Sequence, residues 1–261
     1  MTIFQNIKLS ILDNIATITF NRPDRLNACS LEMADEISNA LDQLGDARVL
    51  ILTGEGRAFC SGADLQSTGD KSISGGQAAY QSLMQHYNPL MLKLSRLNIP
   101  TVSRVRGPAA GIGCSIALAA DFVIASEKAY FLQAFVNIGL VPDGGASWML
   151  PRLIGKARAT QMMLLGEKIY GAQAAEWGLI YKQVSEEVLD SEVAMLADKL
   201  ANGPTIAYGI MRQNIASAME NDYASALLRE AEGQRHAGDS MDAREGAIAF
   251  LKKRKAEFKG Q

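Results

Sequence analysis

Histidine and cysteine are scarce in this chain. Its 261 residues include two histidines, His86 and His236, and three cysteines, Cys29, Cys60 and Cys114. Neither histidine lies in a nucleophile motif, which argues against a Ser-His-Asp hydrolase. There is no H-E-x-x-H and no paired Cys/His spacing, so no metal site is expected. Three thiols without a C-x-x-C pair form neither a disulfide framework nor a zinc site, and they read as reduced, buried groups of a cytoplasmic protein. A charge excess is also lacking. The 26 Lys and Arg against 28 Asp and Glu leave a net charge of −2, which argues against a general nucleic-acid binder. The start, MTIFQNIKLSILDN, has no basic segment followed by an apolar one, so no signal peptide is expected. No apolar run reaches the length of a membrane span.

What is present is ordinary globular composition, 48% hydrophobic, enough for one sizeable core. Ile7 to Leu12 and Ile15 to Phe20 read as strands joined at Asp13-Asn14, a hairpin signal. Ser30 is placed to cap a helix carrying Leu31, Ala34, Ile37, Leu41 and Leu44 at helical spacing. Val49 to Thr53, Thr101 to Val105, Phe122 to Ala125 and Leu179 to Val184 read as buried strands. One helix fits Tyr80, Leu83, Tyr87, Leu90, Met91, Leu94 and Leu97, after a candidate mobile loop from Ser67 to Gly76. Beyond Glu186 only helical patterns remain: Val188 to Ala201, Ile206 to Ala218, Tyr223 to Ala237 and Ala243 to Lys255. Strands separated by helices need crossovers, so the expectation is an α/β body with a largely parallel sheet. The helices from residue 203 to 261 are too few to bury their apolar faces alone. They are expected to cover the body, another subunit, or both.

Three segments carry candidate chemistry. The first, Arg57-Ala-Phe-Cys-Ser-Gly-Ala-Asp-Leu65, follows a strand. It can be a plain turn, with Gly62 at positive φ and Asp64 in an Asx turn, or a turn that aims N–H groups into a cleft. The second, Gly107-Pro-Ala-Ala-Gly-Ile-Gly-Cys-Ser115, joins a strand to a helix. Its glycines can expose the helix's first N–H groups to an anion or simply permit close packing. It matches neither G-x-G-x-x-G nor a P-loop. The third, Gln133 to Trp148, holds one acid, Asp143, between Pro142 and two glycines with Phe135, Leu140, Val141 and Trp148 nearby. It is either a structural turn or a carboxylate in a dry pocket, where a raised pKa makes a base useful near neutral pH.

Taken together, these segments resemble the crotonase (enoyl-CoA hydratase/isomerase) superfamily. The similarity extends to NRPDRLNA, LPRLIGKARA, AAEWGLI and EGAIAFLKKRKAEF. The resemblance implies a crotonase-like spiral of strand-strand-helix turns over residues 1–202, with a helical oligomerisation region over 203–261. It implies that the N–H groups of Ala63 and Ile112 hold a thioester oxygen. It also implies substrate contacts from Ala28, Ser61, Asp64, Leu65, Gly111 and Phe135. Arg25, Phe250 and Lys253 are implied at the coenzyme A nucleotide, and the assembly is expected to be a homotrimer or hexamer. No cofactor is implied beyond the coenzyme A moiety of an acyl-CoA substrate.

Hydratases of the superfamily carry two glutamates that handle water. Here those positions are Ser115, which could at most position a water, and Phe135. Hydration is therefore not expected, and Asp143 remains, as in isomerase branches that act on Δ3-enoyl-CoA or on the ring epoxide of phenylacetyl-CoA. The expected activity is acyl-CoA isomerisation through an enolate, with Asp143 as acid and base. The rivals are hydration, aryl-CoA displacement by the Asp143 carboxylate, and a non-catalytic relic that binds acyl-CoA or protein.

Overall fold

The computed structural model describes residues 3–66 and 74–261. Strands β1 (Ile7–Leu12) and β2 (Ile15–Phe20) form the expected hairpin, with Ile7 opposite Phe20. Asp13 and Asn14 both take positive φ, as a two-residue turn matched to strand twist requires. In β2, Ala16, Ile18 and Phe20 point into the core and alternate with half-buried neighbours. Helix α1 (Leu31–Leu41) starts where Ser30 accepts a hydrogen bond from the Met33 N–H. Leu44, expected on this helix, lies beyond its end but is buried.

Strand β3 (Val49–Gly54) is buried on both faces, as a central parallel strand should be. The candidate loop from Ser67 falls outside the described residues as far as Ile73. Gly75 and Gly76, which ended that expected loop, instead open helix α2 (Gly75–Ser82). The single helix expected over Tyr80 to Leu97 is interrupted by a π-helical turn, Leu83–Tyr87, before helix α3 (Asn88–Ser95). Pro89 explains the break. It has no N–H to donate one turn back, and the wider turn absorbs the mismatch, with the Asn88 N–H reaching the Leu83 carbonyl.

Strand β4 (Thr101–Val105) is followed by β5 (Pro108–Ala110), helix α4 (Ile112–Leu118), β6 (Phe122–Ser126) and β7 (Tyr130–Leu132). Helix α5 (Ala146–Leu165) bends at Gly155, and β8 (Ile169–Tyr170), α6 (Gly171–Glu176) and β9 (Lys182–Val184) follow. The main sheet runs β1-β2-β3-β4-β6-β9, and every pairing after the hairpin is parallel. β5, β7 and β8 make a second, three-stranded sheet. No pattern in the sequence announces it, because its strands are only two or three residues long. Leu179 and Ile180, expected in the last strand, are buried just ahead of it.

Helix α7 (Leu189–Ala201) lays Leu189, Val193, Ala197 and Leu200 on one face of the main sheet, against Val49, Val102 and Ile124. α1, α3 and α4 share the larger core on the other side with Ile18, Phe20, Leu50 and Leu52. Helices α8 (Thr205–Ala218), α9 (Tyr223–Gly238) and α10 (Met241–Leu251) complete the chain. α8 is fastened to the body by Arg212, which bonds Asp121 at 2.7 Å and the carbonyl of Leu97. α10 stops four residues short of the expected Lys255. The N–H of Arg254 returns to Ala249 and that of Lys253 to Phe250, a Schellman turn that puts Lys253 at positive φ.

Candidate active site

The first segment is held from behind by the NRPDRLNA stretch. Asn27 is fully buried and donates to the carbonyls of Ala58 (2.8 Å) and Glu55 (3.0 Å). These bonds hold Leu26 and Asn27 in left-handed conformations that side chains rarely adopt. Arg22 donates to the Ala28 carbonyl and to the Asp64 carboxylate, the latter at 2.7 Å. Burial alone would raise Asp64. The Arg22 bond, the Gln66 N–H and the charges of Arg22 and Arg25 outweigh it and hold the carboxyl below its ordinary value. The Gln66 bond is the anticipated Asx turn, and Gly62 has the anticipated positive φ.

Cys29 then forms a parallel bridge with Ala63: its N–H donates to Gly62 and its carbonyl accepts from Asp64. A residue bracketed in this way turns its own N–H to the opposite side. Among the described residues, the Ala63 N–H finds no acceptor.

The second segment meets the first edge to edge. Ala110 donates to Cys60 at 3.0 Å, and the Gly111 N–H donates to Leu132 at 2.8 Å. Gly111 has φ 53°. A Cβ there would lie 3.7 Å from the Gly62 Cα and 3.6 Å from the Phe135 ring. Gly113 is obligatory for packing, since a Cβ would come within 2.5 Å of the Cys60 carbonyl oxygen. The glycines permit close packing, and the Ile112 N–H, first in α4, has no acceptor among the described residues.

Asp143 closes the cluster from the side of α5. Its carbonyl accepts from the Ala146 N–H (3.1 Å) and from Ser115 Oγ (3.0 Å). Gly144 rests on the first turn of α4; a Cβ would come within 2.5 Å of Ile112 Cδ1 and 2.7 Å of Ser115 Cβ. Asp143 Oδ1 is buried with no hydrogen-bond partner among the described residues. Desolvation pushes this carboxyl up to about 6. The Cys29 thiol, raised chiefly by its own burial, also feels the Asp143 charge, which places the acid near the Cys29–Ala63 bridge. Such an arrangement can take a proton near neutral pH and offer two N–H groups to a developing oxyanion.

Residues 60 to 144 thus bring Ala63, Gly111, Ile112, Phe135 and Asp143 to one place. Ser61 is half-buried, and its N–H donates to Leu26. Ala28 and Asp64 are tied to Arg22, so their recorded bonds are internal to the protein. Leu65 is 76% exposed. Arg25 is largely exposed and bonds Gln66 at 2.7 Å. Phe250 is 83% exposed at the end of α10, with Lys253 in the turn beyond, and among the described residues no hydrogen bond or ring contact joins either to the cluster.

Sequence reasoning missed three supports: Arg22, Ser115 as a ligand of the Asp143 carbonyl, and Tyr87, whose hydroxyl donates to the Cys29 carbonyl at 2.8 Å. A signal for the last was available, because a buried tyrosine on an apolar helix face needs a partner for its hydroxyl. Among the described residues, no group of three or more His, Cys, Asp or Glu is placed to hold a metal ion. No described helix is long and apolar enough to cross a membrane.

Comparison with known proteins gives the family. The chain is 41% identical over 250 residues to the 1,2-epoxyphenylacetyl-CoA isomerase of Escherichia coli, covering 95% of each chain. It is 40% identical over 259 residues, 99% of each, to a Rhodobacter capsulatus protein named "probable enoyl-CoA hydratase". Among solved structures, the enoyl-CoA hydratase of Bacillus anthracis superposes with a TM-score of 0.91 at 29% identity, covering 98% of this chain and all of that one. Residues 10–261 match the family described as enoyl-CoA hydratase/isomerase, and the chain belongs to that family.

Proposed function

We propose that the protein is an acyl-CoA isomerase that shifts a double bond or opens a ring epoxide through an enolate. The observation that carries this reading is a carboxylate whose buried Oδ1 has no partner among the described residues, in a cluster with two N–H groups that likewise find no acceptor there. Asp143 takes a proton from carbon next to, or vinylogous to, the thioester carbonyl, and the N–H groups of Ala63 and Ile112 take up the charge on oxygen. In a double-bond shift the proton returns at another carbon; with a ring epoxide the enolate's electron pair expels the adjacent C–O bond, and the proton goes to the released oxygen. Each such donor is typically worth ~10²–10³-fold in rate. Ser115 and Phe135 stand where hydratases carry glutamates, and neither can act as a second carboxylate. The 41% identity to an epoxyphenylacetyl-CoA isomerase supports the same branch.

In this reading Gly111, Phe135, Ser61, Ala28 and Leu65 border the acyl thioester, with Asp64 bracing that wall. Arg25 lies toward the coenzyme phosphates. Phe250 and Lys253 serve a site belonging mainly to a neighbouring subunit of a trimer or hexamer, with residues 203–261 as its oligomerisation region. The test is Asp143→Asn assayed with a 3-enoyl-CoA and a ring-epoxide acyl-CoA. Activity is expected to fall to a small residue while acyl-CoA affinity persists; near-normal turnover would remove Asp143 from the mechanism.

A second reading, in which Asp143 attacks a ring carbon, draws on the same unpartnered oxygen. Intact-mass detection of an aspartyl ester at Asp143 would favour it over proton transfer.

A further inference from the structure

We propose that Ser115 is a positioning residue: by bonding the Asp143 carbonyl it clamps the acid-bearing turn to the first turn of α4 and sets the carboxylate's place relative to the Ile112 N–H. This rests on the reading of Asp143 as the acid and base. Ser115 is fully buried, and its N–H donates to Gly111, so it belongs to the same helical turn as Ile112. Its Oγ reaches the Asp143 carbonyl at 3.0 Å, and among the described residues no other side chain bonds to Asp143.

Among the described residues Oδ1 of the carboxylate has no hydrogen-bond partner, so the recorded bonds that fix Asp143 are those to its main chain. Gly144 makes the clamp close, since any Cβ would meet Ile112 and Ser115. The choice of acceptor has a chemical consequence. A hydroxyl donated to the carboxylate would favour the anion and weaken the base, whereas one donated to the carbonyl fixes position and leaves basicity alone.

Ser115→Ala and Ser115→Cys test this, the second keeping side-chain volume while weakening the donor. kcat and KM are measured on a 3-enoyl-CoA and a ring-epoxide acyl-CoA, and the Asp143 carboxyl is titrated by 13C NMR, assigned with Asp143→Asn. Both variants should lose about 10- to 100-fold in kcat with little change in KM, as expected for a misplacement of about 1 Å. The titration midpoint should move from about 6 toward the ordinary 3.8 as water reaches the loosened turn. Wild-type kcat and midpoint in either variant, or a lowered melting temperature with both unchanged, would overturn the proposal. If Asp143→Asn keeps full turnover, or if neither substrate is converted, the functional reading fails. The NMR midpoint still decides whether Ser115 holds the carboxylate.

Discussion

Asp143 bears a cost that its burial explains. In an unfolded chain its carboxyl would ionise near 3.8, and in the fold it does so near 6 because burial disfavours the anion. The folded form therefore binds the extra proton between those values. The stabilisation that this proton brings is fully present below 3.8 and is lost as pH rises through about 6. At pH 7 the penalty is at most ~3 kcal/mol before partial solvent screening is allowed for. Asp143→Asn should consequently melt higher than the parent at pH 7, and the gap should shrink as pH is lowered to 4.5; a pH-independent gap in calorimetry would contradict the burial argument. The same ionisation predicts that kcat/KM falls tenfold per pH unit well below 6, measured with a substrate that does not titrate there. Ser115→Glu with Phe135→Glu should not create a hydratase. A glutamate at 115 removes the hydroxyl bonded to the Asp143 carbonyl and adds bulk where Gly144 already sits close to Ser115, so isomerisation should be lost and hydration should stay undetectable in a hydration assay.

Between elements, the contacts are made by backbone rather than by long side chains. α4 lies against the first segment because Gly113 lets it approach the Cys60 carbonyl. Gly113→Ala must push the helix away or strain Cys60, an overpacking change of ~1–3 kcal/mol. Chemical denaturation should show that loss together with reduced kcat, since the Ile112 N–H moves with the helix. The π-helical turn acts on the other wall. It carries Tyr87 to the Cys29 carbonyl, and Cys29 in turn pairs with both neighbours of Ala63. Tyr87→Phe removes one of the two donors to that carbonyl, the Asp64 N–H remaining, and should cost ~0.5–1.5 kcal/mol in urea unfolding.

Over the whole molecule, the last ten residues return to the body. Asp242 is buried and accepts from the N–H groups of Lys259 (2.7 Å) and Gly260 (2.8 Å). Arg48, just ahead of β3, bonds Thr205, the Gly203 carbonyl and the Phe258 carbonyl. Meanwhile Leu227, Leu228, Ile248, Phe250 and Leu251 remain exposed. The tail is thus attached to the body of the chain while these apolar side chains stay uncovered. Deleting residues 242–261 should weaken assembly and acyl-CoA binding and also lower the melting temperature. Light scattering and titration calorimetry on the truncated chain check this, and a stable trimer with unchanged acyl-CoA affinity would show that the tail does neither job.

The elements legible in the sequence are those whose information is local. The Asp13-Asn14 hairpin, Ser30 as a cap, the alternation in β2 and the apolar stripes of α7 to α9 each depend on side chains within a few positions of one another. The three candidate segments were legible as motifs. What residue order could not show is that Cys29 would bracket Ala63, that Gly144 would rest on Ser115, or that Phe135 would lie beside Gly111. Those contacts join positions up to 34 residues apart through backbone approaches with no periodicity to read. The short second sheet and the left-handed Lys253 were hidden for a related reason: neither is a preference of the residues involved, and both are imposed by partners elsewhere in the chain. The sequence alone determined that one acid, flanked by apolar residues, follows two glycine-containing segments in the chain. Only the tertiary structure decided that its carboxyl would be dry, because desolvation is set by what surrounds a group in space rather than by its neighbours in the chain.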